Sequence, residues 1–174
     1  MQTLVDIGNT RIKWAGFEGG RLVRQGSAVH RGATAAAVAA FATALPQSLE
    51  RVIVANVAGE ALVDALVAAV GGRAEVQFVA PSAERFGVRC AYADPRRLGI
   101  DRWVAVLAAH ALAGGAACVV DAGTAVTFDA VGADGAHLGG LILPGARLLG
   151  AALAGNTSDI GATPVPRAAP RDRK

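Results

Sequence analysis

Two carboxylates in this chain each close an apolar run and are followed by glycine and a hydroxyl residue, in Asp6-Ile7-Gly8-Asn9-Thr10 and Asp121-Ala122-Gly123-Thr124. These residue types suit phosphate chemistry. A carboxylate at a strand end can hold a metal ion or its water shell, a glycine lets backbone N–H groups approach a phosphate, and a threonine hydroxyl adds a short-reach hydrogen bond. Facing each other, the two segments would clamp a nucleotide polyphosphate. A third segment, Gly99-Ile100-Asp101-Arg102, puts an acid where a connector becomes a helix. Asp101 could accept the proton of a substrate hydroxyl as that oxygen attacks phosphorus, with Arg102 holding an anionic group. Equally, the acid suits the first turn of any helix and the arginine could be solvated. Tyr92, the only tyrosine, could line a ligand pocket or pack half-buried. The small residues of Gly139-Gly140-Leu141-Ile142-Leu143-Pro144-Gly145 allow close backbone approach, within the fold or across a dimer interface.

The elements that must position these groups repeat. Thr3-Leu4-Val5 and Cys118-Val119-Val120 read as short buried strands. Each strand and its acidic loop lead into a hairpin with a glycine-bearing turn: Arg11 to Phe17, Glu18-Gly19-Gly20 and Arg21-Leu22-Val23 in the first case, Val126 to Val131, Gly132 to Gly135 and Ala136-His137-Leu138 in the second. A strand, loop and hairpin occurring twice point to internal duplication. Helices are expected over Thr34 to Leu45 with Thr34 as N-cap, Gly59 to Val70, Asp101 to Ala113, and Pro144 to Leu153 with Pro144 in the first turn. Further strands are expected over Arg51 to Ala55 and Glu75 to Val79. Ser82 to Leu98 reads as an irregular charged connector, and 161–174 as a disordered tail.

Composition narrows the function classes. Apolar residues make up 53% of the 174, but aromatics only 5%, so the core must rely on small aliphatic side chains. The formal charge of +3 resides in 167–174, which leaves the remainder neutral and gives no basic face for nucleic acid. Cys90 and Cys118 have neither CxxC nor metal-finger spacing, so a reduced, cytoplasmic compartment is expected, with Cys118 in the core. Charge and glycine interrupt the apolar stretches, which argues against a membrane span, and the chain opens on a strand rather than a leader. The P-loop, the dinucleotide-binding glycine fingerprint, the nucleophile elbow and the zinc-protease pattern are not found.

Taken in order, Asp6 to Thr10, Gly99 to Arg102, Asp121 to Ala125 and Gly139 to Gly145 resemble the first phosphate, pantothenate, second phosphate and interface motifs of type III pantothenate kinases. That family lies in the acetate kinase, sugar kinase, heat-shock chaperone and actin superfamily. The resemblance implies an α/β fold of duplicated ribonuclease-H-like halves with ATP between them, the second half incomplete here: 1–100 the first half and connector, 101–160 the partial second half, 161–174 the tail. It implies that Asp6, Ile7, Gly8, Asn9, Thr10, Arg11, Ile12 and Lys13 form the first phosphate loop, that Thr124 touches ATP, and that Asp121 holds a monovalent cation such as potassium or ammonium. Asp101 would be the base on the pantothenate hydroxyl, and Tyr92, Gly99, Ile100 and Arg102 would contact pantothenate. The implied reaction is ATP- and magnesium-dependent formation of 4'-phosphopantothenate, the first step of coenzyme A synthesis, by a cytoplasmic homodimer that engages neither nucleic acid nor membrane.

The likeness covers nearly all of this chain and about two thirds of a family member. The family's later substrate contact, adenosine motif and completing strands have no match in 161–174, so weakened ATP binding and activity are expected of this chain alone. A non-catalytic accessory or regulatory relative is the alternative, which the intact Asp6, Asp101 and Asp121 count against.

Overall fold

The computed structural model describes residues 1–156. The first sheet opens with an antiparallel meander, β1 (Gln2–Ile7), β2 (Arg11–Glu18) and β3 (Arg21–Val29). Helix α1 (Thr34–Ala44) leads to β4 (Arg51–Asn56), which pairs parallel to β1. Helix α2 (Glu60–Val70) leads to β5 (Glu75–Phe78), parallel to β4. The strand order β3-β2-β1-β4-β5, with these senses, is the ribonuclease-H-like arrangement. A small hairpin, β6 (Glu84–Arg85) and β7 (Val88–Arg89), and a 3-10 turn (Pro95–Arg97) connect to α3 (Ile100–Ala113). The second sheet follows: β8 (Ala117–Ala122), β9 (Ala125–Val131) and β10 (His137–Pro144), antiparallel throughout, then α4 (Ala146–Asn156). Its β8-β9-β10 meander repeats β1-β2-β3. Among the described residues no parallel strands extend it.

Strand alternation explains which face is covered. Thr3, Val5 and Ile7 of β1 and Val52 and Val54 of β4 point to one side, where they meet Ala37 and Phe41 of α1 and Leu62, Leu66 and Val70 of α2. The α2 trio recurs every four residues and so makes one stripe. The helix stops at Gly71, whose φ of 62° is the left-handed conformation that glycine adopts without a Cβ penalty. Phe41 is fully buried and meets Trp14 edge-on, with ring centroids 5.8 Å apart. Phe41→Ala is expected to cost about 3–5 kcal/mol, because few neighbours can close so large a void; a urea midpoint shifted with an unchanged slope would check it.

A second core forms around α3. Ile100, Trp103 and Val106 pack with Val88, Leu98 and Val131, and Ala55, Val57 and Val79 of the first half lean on the same cluster. One helix therefore contacts both sheets.

Four sequence expectations need correction. Thr34 is the first residue of α1 rather than its cap: Ala33 takes the N-cap position, and the Thr34 hydroxyl donates to the His30 carbonyl. Pro144 is not in a helical first turn but ends β10, paired with Ala125, and α4 starts only at Ala146. The connector is not wholly irregular, since β6 and β7 pair within it. Cys118 is exposed rather than in the core, because β8 is the outer strand of its sheet and Cys118 and Val120 share its uncovered face. The tail expected over 161–174 lies outside the described residues.

Candidate active site

The two acidic loops are built alike. In the first, the β1–β2 register pairs Ile7 with Ile12, and the Gly8 N–H donates to the Arg11 carbonyl at 3.1 Å. In the second, the β8–β9 register pairs Ala122 with Val126, and the Gly123 N–H donates to the Ala125 carbonyl at 2.8 Å. Asp6 and Asp121 each stand one residue before the last paired position, opposite Lys13 and Thr127 respectively. Further contacts stiffen both turns. A ring nitrogen of His30 lies 2.7 Å from the Gly8 carbonyl, and the His30 N–H donates to the Thr10 carbonyl. Gly145 donates to the Thr124 carbonyl at 3.0 Å, and a Cβ on Gly145 would strike the carbonyls of Gly123 and Thr124.

These loops meet. The hydroxyl oxygens of Thr10 and Thr124, 114 residues apart in the chain, lie 3.1 Å from each other in a hydrogen bond. A phosphate oxygen between them could take the place that each hydroxyl now gives the other. Asp6 forms an ion pair with Lys13 at 3.1 Å. With Arg11 and Ser27, these two side chains make the polar end of a cleft of about 830 Å³ on the open face of the first sheet. Leu4, Ile53, Val79 and Val104 are among its apolar lining. Asp121 is exposed beside the second loop and does not line this cleft. The side chains of Ile7 and Ile12 are fully buried, so these two residues can offer a phosphate only backbone groups.

Asp101 sits in the first turn of α3, one turn before Val104 on the same side of the helix. Its Oδ1 accepts the Arg102 N–H at 2.8 Å, and a Cβ on Gly99 would lie 2.6 Å from that oxygen. Glycine at 99 thus leaves room for the carboxylate. Ile100 is part of the second core, so its side chain packs rather than facing a ligand.

Arg102 is not solvated: its side chain is only 7% exposed. It reaches Asp129 of β9 through two hydrogen bonds, Nε to Oδ2 and Nη2 to Oδ1, both 2.7 Å. Those bonds hold the guanidinium pKa above its ordinary range against the opposing effect of burial, with a smaller contribution from Tyr92. His137 of β10 lies 3.0 Å from Asp129 Oδ1, and Tyr92 stacks on the His137 ring with centroids 6.2 Å apart. The connector is tied to this region by Arg89, which pairs with Asp134 at 2.9 Å and whose N–H donates to the Gly135 carbonyl.

Sequence reasoning missed Asp129 and His137, whereas the close approach expected of Gly139 to Gly145 occurs within the fold at Gly140 and Gly145. One signal was available for the first. Val126 to Val131 is apolar except for Thr127 and Asp129, and a carboxylate at an inward strand position needs a buried cation. Among the described residues no helix is long and apolar enough to cross a membrane.

The family model for type III pantothenate kinases matches residues 3–172. Similar curated proteins carrying that name come from Aromatoleum aromaticum (45% identical over 161 residues, 92% of this chain and 65% of that protein) and Nitrosococcus oceani (40% over 171 residues, 94% and 64%). A third, from Halorhodospira halophila, is 41% identical over 183 residues, 97% and 69% of the two chains. This chain thus spans about two thirds of the length of these relatives. Among solved structures, a Baf family protein from Campylobacter jejuni is similar in fold, with a TM-score of 0.53 at 22% identity over 89% of this chain and 60% of the other.

Proposed function

Since the chain belongs to the type III pantothenate kinase family, we propose that it serves ATP-dependent phosphorylation of pantothenate to 4'-phosphopantothenate, the opening step of coenzyme A synthesis. The observation that carries this reading is the contact of the two glycine loops through Thr10 and Thr124, which supports one polyphosphate lying between them. Asp6 to Lys13 and Thr124 hold the ATP phosphates. Asp101 is the base: with Oδ1 engaged by the Arg102 N–H, Oδ2 accepts the proton of the pantothenate hydroxyl as it attacks the γ-phosphorus. Gly99, Arg102 and Tyr92 bind pantothenate. A primary hydroxyl is a weak nucleophile at neutral pH, and phosphoryl transfer depends chiefly on alignment and charge neutralisation.

Magnesium and a monovalent cation fit the donors present. Asp6 and Asp121 are single hard carboxylates at the two loops, which suits magnesium held mainly by phosphates and water, and potassium at Asp121. When bound, these ions neutralise phosphate charge. We place the reaction in the cytoplasm and assign a homodimer, supported by the exposed Leu141, Ile142 and Leu143 of β10 beside Leu148 and Leu149 of α4.

Titration with ATP and magnesium, followed by thermal melting, tests the nucleotide site. Bound ATP is expected to stabilise the chain by about 2.7 kcal/mol at a hundredfold excess over Kd, and less in Thr124→Val. Formation of ADP and phosphopantothenate with potassium present tests the reaction. No midpoint shift at any ATP concentration, together with no product, overturns the reading.

A further inference from the structure

We propose that Asp129, braced by His137, is a positioning residue for substrate recognition, setting Arg102 and Tyr92 in place beside Asp101. The inference rests on the kinase reading and adds to it two residues, Asp129 and His137, that lie outside all four motifs. Asp129 is almost wholly buried and accepts two hydrogen bonds from Arg102. Its second partner, His137, is fully buried too. A backbone N–H can only donate, so the Ala91 N–H, 3.4 Å from His137 Nδ1, finds an acceptor there. The ring proton is then on Nε2 and is donated to Asp129 Oδ1.

Two separate pieces of chain converge on this one carboxylate, and a third packs behind them. Arg102 arrives from α3 and His137 from β10, and Tyr92 from the connector rests on the His137 ring. Gly140 opposes Asp129 in the β9–β10 register, and a Cβ there would collide with Asp129 Oδ1 and Arg102 Nη2, so the ion pair needs glycine. Asp129 engages Nε and Nη2 and Tyr92 also interacts with the guanidinium, so an anionic substrate group is assigned to the Nη1 side, which does not bond to Asp129. An arginine fixed in this way does not lose its rotamer freedom at the moment of binding, so affinity depends on Asp129 although Asp129 does not touch the ligand.

The test uses His137→Phe, which keeps a ring under Tyr92 but removes the donor to Asp129, and Asp129→Asn, which keeps the shape. Calorimetry measures pantothenate affinity, and melting with and without ATP reports the nucleotide site separately. In folded His137→Phe, pantothenate binding is expected to weaken by about 10- to 100-fold, as a small misplacement of a positioned group does, with the ATP-dependent midpoint shift retained. Asp129→Asn is expected to weaken it at least as much if it folds; His137→Phe decides the question if it does not. Unchanged pantothenate affinity in His137→Phe overturns the proposal, and so does an equal loss of both ligands, which would mark a merely structural role. A parent chain that takes up neither ligand overturns the kinase reading and this inference with it.

Discussion

Asp101→Asn is expected to lower phosphoryl transfer to pantothenate by roughly 10²- to 10⁴-fold, the usual contribution of a positioned general base, with the fold intact. The substitution is close to isosteric. Asparagine can still accept the Arg102 N–H through its side-chain oxygen, and Gly99 still leaves the space that the side chain occupies. What disappears is the ability to take a proton from the substrate hydroxyl. In the proposed reaction the two loops also align the phosphates, so part of the catalysis is expected to survive. Rapid-quench measurement of a single turnover, alongside a thermal melt, separates loss of chemistry from loss of structure. A rate within about threefold of the parent, far below the contribution of a base, removes Asp101 from this role.

Gly140→Ala is expected to destabilise the chain by about 3 kcal/mol or more, the range for a disrupted buried ion pair. The added methyl would lie against the Phe128 carbonyl, Asp129 Oδ1 and Arg102 Nη2 together. Backbone on one side and an ion pair on the other leave no flexible side chain to yield, so the pair must separate inside the core. The adjacent glycine makes a control. Gly139 has a φ of 95° but open space around its Cβ position, so Gly139→Ala should show only backbone strain, on the order of 1–3 kcal/mol. For a domain of this size the Gly140 loss corresponds to a fall in Tm of roughly 6–12 °C. Chemical denaturation of both variants checks the ranking. A Gly140→Ala chain as stable as the parent would mean that the ion pair tolerates displacement.

How far the fold could be read ahead depended on the range of the forces involved. The α2 stripe, its stop at Gly71-Gly72 and the β4 run are local patterns whose positions follow within a residue, whereas β1 continues two residues past the apolar run Thr3-Leu4-Val5. The repeated strand, loop and hairpin was legible because it recurs, and the Thr10–Thr124 contact agrees with the pairing read from it. Pro144 was misassigned because what holds it in β10 is its partner Ala125, far away in sequence. Cys118 looked buried because a strand's composition does not say whether its outer face is covered. Arg102 was the hardest to read. Its neighbours suggest either a ligand contact or a solvated side chain, while its actual partner lies 27 residues away on another element. The spacing within Gly99 to Arg102 carries no trace of Asp129.

The attachment of α3 has a mechanical consequence. The helix is bound to the second sheet by the Arg102–Asp129 ion pair, while it meets Ala55, Val57 and Val79 of the first half through apolar contact. Ionic hydrogen bonds are directional and resist shear, whereas small aliphatic surfaces slide. If the halves swing apart to admit nucleotide, Asp101 should ride with Thr124 as one rigid arm and leave Thr10 and Asp6 behind. Closure would then deliver the base and one phosphate grip in a single stroke.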